Sequence, residues 1–319
     1  MCSKRKLCID VDVGVDDAQG LMLVLAHPDA HIVGISAVHG NVDVARVGRN
    51  IARVLTLCGR TELPFYLGAD EPLVPPAAAV DDASFFHGKD GLGDVPEAVP
   101  ASSHIELQAQ PGHGALQLAR AAQEHEGELT VVATGPLTNV ALACKMDAQF
   151  PHRVGRLVVM GGAEGAGNVT PCAEYNFHCD AESAHLVMCK FPQLVLVSWN
   201  ATVRHALPWC WVDAWLGKPT RKAAFMRAIM AASMALEKER DADAGWIACD
   251  PLAFALAVCD EALLAAEPKH CVVELQGSLT RGMSVFQEPG GEAALPANVL
   301  LVTDICMQRF QALMDAATD

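Results

Sequence analysis

The sequence predicts an α/β protein, with one domain over residues 1–319 and a mostly parallel central sheet flanked by helices, as in a Rossmann-like open sheet. Short continuous apolar runs alternate with longer segments of helical periodicity. This alternation indicates βαβ units, and therefore a parallel sheet covered on both faces. Hydrophobic residues make up 51% of the chain, which excludes a disordered protein, and no linker divides it.

Strands are predicted where an apolar run is short and continuous, which is typical of strands buried on both faces. In chain order these runs are Leu7–Val11, His31–Val38, Leu129–Ala133, Leu157–Met160 and Leu194–Val197. The first run ends in acidic residues. No run approaches the ~18 uninterrupted apolar residues of a membrane span, so no membrane partner is expected.

Helices are predicted over Ala18–Ala26, Val44–Leu57, Gly114–His125 and Pro136–Lys145. The first should stop at His27-Pro28 and the second at Gly59. Pro136 is expected in the first turn of its helix, where no amide hydrogen is needed. Two segments lack periodicity and are predicted to be loops, Gly68–Pro111 and Glu237–Gly245. Long loops in compact domains are usually functional.

The charge and the cysteine content limit the partners and the cellular compartment that can be expected. The chain has 23 Lys and Arg against 38 Asp and Glu, a net charge of −15, which disfavours a nucleic-acid partner. The first residues are not expected to form a signal peptide, because Asp10 and Asp12 interrupt the apolar run. None of the twelve cysteines forms a C-x-x-C pair. We expect free, buried thiols and a cytoplasmic location.

Polar residues directly after the strands are the candidates for a site, because ligands bind beyond the carboxyl ends of open parallel sheets. Four carboxylates follow the first strand within eight residues: Asp10, Asp12, Asp16 and Asp17. They repel one another unless protons or a cation neutralise them, and oxygen ligands suit Ca²⁺ or Mg²⁺. The alternative is a solvated acidic turn that caps the next helix.

Two metal-related motifs fit this segment poorly. An EF-hand loop counted from Asp10 would need Gly sixth and Glu twelfth, but Gly14 is fifth and Leu21 is twelfth. The haloacid dehalogenase-like phosphatases use an Asp-x-Asp after a first strand, but they normally carry Thr or Val where Gly14 stands.

A third interpretation accounts for motifs from residue 10 to about residue 251. The run D-V-D-V-G-V-D-D-A, residues 10–18, resembles the N-terminal signature of the inosine–uridine-preferring nucleoside hydrolases. Further matches follow in the family's order at residues 38–41 (VHGN), 87–93 (HGKDGLG), 134–139 (TGPLTN), 160–162 (MGG), 168–171 (NVTP), 173–176 (AEYN), 180–182 (DAE) and 249–251 (CDP). Jointly these motifs are highly specific, although each alone is weak.

The resemblance implies the nucleoside hydrolase fold and hydrolysis of the N-glycosidic bond of ribonucleosides to free base and ribose. It implies that Asp12 is the general base and also contacts a Ca²⁺ ion. The other implied metal ligands are Asp17, Asp250 and the backbone carbonyl of Thr134. Water and two ribose hydroxyls would complete the six to eight oxygens that Ca²⁺ prefers. Asp10 would support these ligands or shape the turn.

The resemblance also implies a substrate-binding set: Asp16, Asn41, His87, Met160, Asn168, Glu174, Asn176, Cys249 and Asp250. Asn168 and Glu174 should face the 5′-hydroxyl, and Asp16 and Asn176 the ring hydroxyls. His87 is either a base-side contact on a mobile lid or a solvated loop histidine. Trp246 either stacks on a purine or packs into the core.

Cys249 departs from the family pattern, in which many members carry His before the late Asp. A thiol with a pKa near ~8.5 is a poor acid for a leaving base, which favours purines over pyrimidines. The alternatives are a non-catalytic nucleoside- or ribose-binding member of the same fold, and the phosphatase. A homodimer or homotetramer is expected.

Overall fold

A computed structural model describes residues 5–75, 83–95, 107–288 and 295–319. Its strands are β1 (Arg5–Val11), β2 (Ala30–Ala37), β3 (Phe65–Leu67), β4 (Leu129–Ala133), β5 (Arg156–Met160), β6 (Leu194–Val197), β7 (Leu263–Val273), β8 (Ser284–Gln287) and β9 (Val299–Ile305). They form one nine-stranded sheet of order β3-β2-β1-β4-β5-β6-β9-β7-β8. All pairs are parallel except those of β7, which runs antiparallel to β8 and β9. The predicted α/β class is confirmed.

The described helices are α1 (Val15–Ala26), α2 (Val44–Leu57), α3 (Ser84–His87), α4 (Gly114–Glu124), α5 (Thr138–Met146), α6 (Phe150–Arg153), α7 (Tyr175–Cys179), α8 (Ala181–Lys190), α9 (Trp199–Arg204), α10 (Trp209–Leu216), α11 (Arg221–Arg240), α12 (Cys249–Val258) and α13 (Met307–Ala317). They cover both faces of the sheet. Leu7, Ile9 and Val11 of β1 point into one core, with α1, α2 and α12. Cys8 points into the other, with α4, α5 and α8.

Two predicted helix starts are wrong. Helix α1 begins at Val15 rather than Ala18, because the Asp17 carboxylate accepts the Gly14 backbone N–H at 2.9 Å and caps an earlier start. In α5 the first helical bond runs from the Ala141 N–H to the Leu137 carbonyl, so Pro136 lies in the preceding turn.

The predicted loops also contain helix. The segment Glu237–Gly245 overlaps the last turn of α11, where Glu237 pairs with Arg240 one turn on. The segment Gly68–Pro111 contains α3. Its residues 76–82 and 96–106 lie outside the described ranges.

Asn139 ties together the chain segments beside the carboxyl ends of β1 and β2. Its Nδ2 donates to Asp10 Oδ1 at 2.8 Å and to the Ala37 carbonyl at 2.9 Å. Its Oδ1 accepts the Ala69 N–H at 2.9 Å. One buried amide at the start of α5 therefore fixes the spacing of the strands that carry the acidic residues.

The sequence predicts free, buried thiols, and the described cysteines match this expectation in part. All eleven cysteines in the described ranges are free thiols. Cys8, Cys144 and Cys271 are buried as expected, whereas Cys189 and Cys210 are exposed, so burial is wrong for those two. No helix in the described part of the chain is long and apolar enough to span a membrane.

Candidate active site and metal centre

Carboxylates from two distant helices meet at the carboxyl end of β1. Asp16 and Asp17 come from the first turn of α1, and Asp250 from the first turn of α12. Ligand oxygens of these three residues lie within 4.8 Å of one another. The structure thus brings together Asp17 and Asp250 of the predicted ligand set, and it places Asp16 beside them.

Asp12 lies fully buried next to this group. Its Oδ2 accepts the Asn41 backbone N–H at 2.9 Å. Oδ1 of Asp12, like Oδ1 of Asp16, is buried and has no hydrogen-bond partner among the described residues. Burial raises the pKa of Asp12 well above its usual range, and the charge of Asp17 raises it further.

Burial and neighbouring charges also raise the pKa values of the other carboxyls. Burial, followed by the charge of Asp16, raises the pKa of Asp17 to about 7. Burial and the charges of Asp16 and Asp17 raise the pKa of Asp250 well above its usual range. Crowded, buried carboxylates with oxygens that accept no hydrogen bond are a donor set that fits a hard divalent cation.

Thr134 reaches the cluster through its hydroxyl. Its Oγ1 donates to Asp17 Oδ1 at 2.8 Å, and its backbone N–H donates to the Asp10 carbonyl at 3.0 Å. The Thr134 carbonyl, the atom expected to bind the metal, accepts Nδ2 of Asn176 at 2.8 Å. A carbonyl oxygen has two lone pairs, so one remains for a further partner.

Asn41, Asn176 and Met160 are buried around the carboxylates. The Asn41 side chain donates to Asp17 Oδ2 at 3.4 Å. Asn176 donates to the Met160 carbonyl at 3.3 Å as well as to Thr134. The Asn176 amide thus holds the backbone at the ends of β4 and β5, and its oxygen stays available for another partner.

Glu174 caps α7. Its carboxylate accepts the backbone N–H groups of Asn176 and Gly162, each at 2.9 Å, and of Phe177 at 3.2 Å. Burial nevertheless raises the pKa of Glu174 to about 7. Asn168 is exposed and lies outside the buried group; its Oδ1 accepts the Tyr175 N–H at 2.9 Å, beside Glu174.

His87 is buried beside Asp16 and is not a solvated loop histidine, so that alternative is wrong. It is 7% exposed, and its Nδ1 accepts the Val15 backbone N–H at 3.0 Å. This bond requires an unprotonated Nδ1, which places the proton of the neutral ring on Nε2. Asp16 Oδ1 lies 3.9 Å from Nδ1. Burial lowers the pKa of His87, against the charge of Asp16.

The contacts of Cys249 and Trp246 do not support a role for either residue at the departing base. The Cys249 thiol donates to the Thr202 hydroxyl at 3.7 Å, and burial raises its pKa well above the usual range. Trp246 is fully buried, stacks on Phe86 with ring centroids 6.1 Å apart, and donates to Gln19 at 3.3 Å. The core-packing interpretation of Trp246 is therefore the correct one.

Comparison with known proteins identifies this arrangement. The model of the family described as inosine-uridine preferring nucleoside hydrolase matches residues 7–312. The chain belongs to this nucleoside hydrolase family. It is 32% identical over 291 residues to the inosine-uridine preferring nucleoside hydrolase of Crithidia fasciculata, with 90% of each chain covered. A solved inosine-guanosine nucleoside hydrolase superposes with a TM-score of 0.89 and 29% identity, covering 99% of this chain and 98% of that one.

A plant relative matches a shorter stretch. Uridine nucleosidase 1 of Arabidopsis thaliana is 37% identical over 201 residues, which are 63% of this chain and 58% of the plant protein. The matched part thus spans less than two thirds of that relative.

Three residues that support the site could not be identified from the sequence. Asn139 stands inside the TGPLTN motif, but the motif alone does not indicate its role. Thr202, the partner of Cys249, lies on α9 in a segment without a motif. Asn50 is a buried amide on α2. In the sequence it is recognisable only as a polar residue within a helix that packs against the core.

Proposed function

We propose that this nucleoside hydrolase cleaves the N-glycosidic bond of ribonucleosides to free base and ribose, with Asp12 as the general base. The proposal is carried by one observation: Asp12 Oδ1 is buried beside three other carboxylates and has no hydrogen-bond donor among the described residues. An oxygen in that state is ready to accept a proton from an attacking water.

The surroundings of Asp12 support this role. The Asn41 N–H fixes Oδ2, so the carboxyl cannot rotate freely and Oδ1 keeps one orientation. Burial and the charge of Asp17 raise the pKa of Asp12, which makes its carboxylate a stronger proton acceptor than an exposed one.

We further propose that Asp17 and Asp250 hold a Ca²⁺ ion together with Asp12 and the Thr134 carbonyl. Support comes from the all-oxygen donor set, from the 4.8 Å group that contains Asp17 and Asp250, and from the partnerless oxygen of Asp12. When bound, such a cation neutralises the carboxylates and lowers the pKa of a bound water. Asp16, the third member of that group, is assigned to the ribose hydroxyls instead.

The remaining polar side chains suit a ribose ring. Asp16 and Asn176 are proposed to bind the ring hydroxyls, and Glu174 and Asn168 the 5′-hydroxyl, with Met160 against the sugar. His87 lies next to Asp16 and would contact the base. A small polyol with several hydroxyls needs this density of directed hydrogen bonds.

A purine preference is proposed from Cys249. Its thiol donates to Thr202 and has a raised pKa, so it gives a departing base no proton. Pyrimidines leave less readily than purines without such help. The names of the relatives include uridine, inosine and guanosine, so the base is a matter for measurement.

The test is release of reducing sugar from inosine, guanosine, adenosine, uridine and cytidine, before and after exhaustive chelation. Hydrolysis that stops on chelation and returns with Ca²⁺ supports the proposal. Tight nucleoside binding without sugar release would indicate the non-catalytic alternative, and phosphate release from a phosphoester the phosphatase. The expected homodimer or homotetramer stays a prediction, which sedimentation velocity measures.

A further inference from the structure

A buried amide on α2 joins two loops of the site. Asn50 is 2% exposed, and its Nδ2 donates to the Val13 carbonyl at 3.1 Å and to the Asp90 carbonyl at 2.8 Å. Val13 directly follows Asp12, and Asp90 lies three residues after His87. A carboxamide nitrogen carries two N–H groups, and here both are used. One side chain therefore connects the acidic loop (residues 12–14) with the His87 loop (residues 87–95).

Arg53, one helical turn after Asn50, strengthens this bridge. Its Nη1 donates to Asn50 Oδ1 at 3.4 Å and pairs with the Asp90 carboxylate at 3.0 Å. Its Nη2 donates to the Val95 carbonyl at 3.4 Å. Because the Arg53 side chain is only 9% exposed, leaving its charge unpaired would be costly.

Hydrogen bonds within the His87 loop make it rigid, so fixing Asp90 also fixes His87. The Asp90 carboxylate accepts two backbone N–H groups of its own loop, and the Gly93 N–H donates to the His87 carbonyl at 2.7 Å. Gly91 has φ +82°, and a Cβ there would lie 2.8 Å from Asn50 Nδ2. The loop thus has little freedom to shift at Asn50 without moving His87.

We propose that Asn50, supported by Arg53, is a positioning residue that sets His87 against the acidic loop. The bond from the Val15 N–H to His87 Nδ1 forms only if the two loops keep their spacing. The kinetic consequence rests on the proposed nucleoside hydrolysis. The effect on the position of His87 does not rest on that function, because it concerns only the hydrogen bond from the Val15 N–H to His87 Nδ1.

The experiment compares Asn50→Ala with Asn298→Ala. Asn298 is a matched control, since it too is a buried amide whose Nδ2 donates to two main-chain carbonyls, those of Met188 and Cys271, at 2.8 and 2.9 Å. Both variants should lower the melting temperature. Amide hydrogen exchange at Val15 and over residues 83–95 should rise in Asn50→Ala alone.

Kinetics provide the second readout. Asn50→Ala should lower kcat/KM on inosine by about 10- to 100-fold, the scale of a misplacement of about 1 Å, whereas Asn298→Ala should leave it unchanged. In a His87→Ala background, Asn50→Ala should cause no further loss, because its effect passes through His87. If Asn50→Ala does not fold, Arg53→Met removes the support and leaves the amide in place.

Unchanged exchange at Val15 and residues 83–95, or an equal kinetic loss with and without His87, overturns the proposal. If the wild-type protein releases no ribose from any nucleoside, the proposed function fails. The exchange comparison still decides the positioning role in that case.

Discussion

Asn41 donates its backbone N–H to Oδ2 of Asp12 at 2.9 Å, and Oδ1 of the same carboxylate has no donor among the described residues. The two oxygens of Asp12 therefore have different tasks. One fixes the side chain to the loop after β2, and the other is buried with its lone pairs available.

Asp12→Asn should keep the fold and remove most turnover. The amide is nearly isosteric and its oxygen preserves the Asn41 bond, but its NH₂ cannot accept a proton. Loss of a general base typically costs ~10²–10⁴-fold in rate. The measurement is kcat on inosine, with circular dichroism to verify the fold.

Asp10→Asn is the matched control for this change. Asp10 is equally buried on β1, and it also has one oxygen bonded, to Asn139, and one without a partner among the described residues. Its turnover should fall less than tenfold, below the ~10²-fold floor for a general base. Near-normal turnover of Asp12→Asn would show that Asp12 is not the base.

Stabilisation by Ca²⁺ should grow with pH. Burial raises the pKa of Asp17 from 3.8 to about 7, so without metal the folded protein loses stability as pH rises through that range. A cation needs the deprotonated carboxylates and competes with protons for them. The rise in melting temperature on adding Ca²⁺ to chelated protein should therefore be larger at about pH 8 than at about pH 5. The same rise at both pH values would contradict a carboxylate site.

Thr134→Val separates the hydroxyl of Thr134 from its carbonyl. The substitution keeps the backbone oxygen and removes the donor to Asp17 Oδ1. If the carbonyl is the metal ligand, Ca²⁺ affinity measured by calorimetry should fall less than about tenfold, the equivalent of one ordinary hydrogen bond of ~1 kcal/mol. Complete loss of Ca²⁺ binding by a folded variant would assign the metal contact to the hydroxyl.

Cys249→Ala should retain purine nucleoside hydrolysis within about one order of magnitude, because a general acid would be worth ~10²–10⁴-fold. The thiol donates to Thr202, so its truncation removes a buried contact and no proton donor for the base. Cys271→Ala removes a buried thiol on β7 and is the control for loss of packing. A thousand-fold drop for Cys249→Ala with Ca²⁺ retained would make the thiol catalytic.

Cys249→His should change the base preference. An imidazole with a pKa near ~6.5 donates a proton at neutral pH, and pyrimidine nucleosides should gain most. Turnover on inosine, adenosine, uridine and cytidine measures the change. An unaltered ratio of purine to pyrimidine turnover would show that residue 249 does not reach the base.

The sequence by itself determined the elements whose signals are local. Apolar runs marked β1, β4, β5 and β6, and the periodicity of Val44–Leu57 matched α2 residue for residue. Boundaries failed where a side chain changed the start of a helix, as Asp17 does at Gly14. The antiparallel strands β7 and β8 and the helix α11 carried no comparable signal.

Tertiary structure decided which side chains meet and which atom each one presents. Asp16 and Asp250 are 234 residues apart, yet their oxygens share one cluster because α1 and α12 pack together at the end of β1. The same packing turns the Cys249 thiol toward Thr202 and the Thr134 hydroxyl toward Asp17. Apolar periodicity encodes only which face of an element is buried. The direction of a hydrogen bond depends on partners that other elements supply, and so it emerges only when the chain is packed.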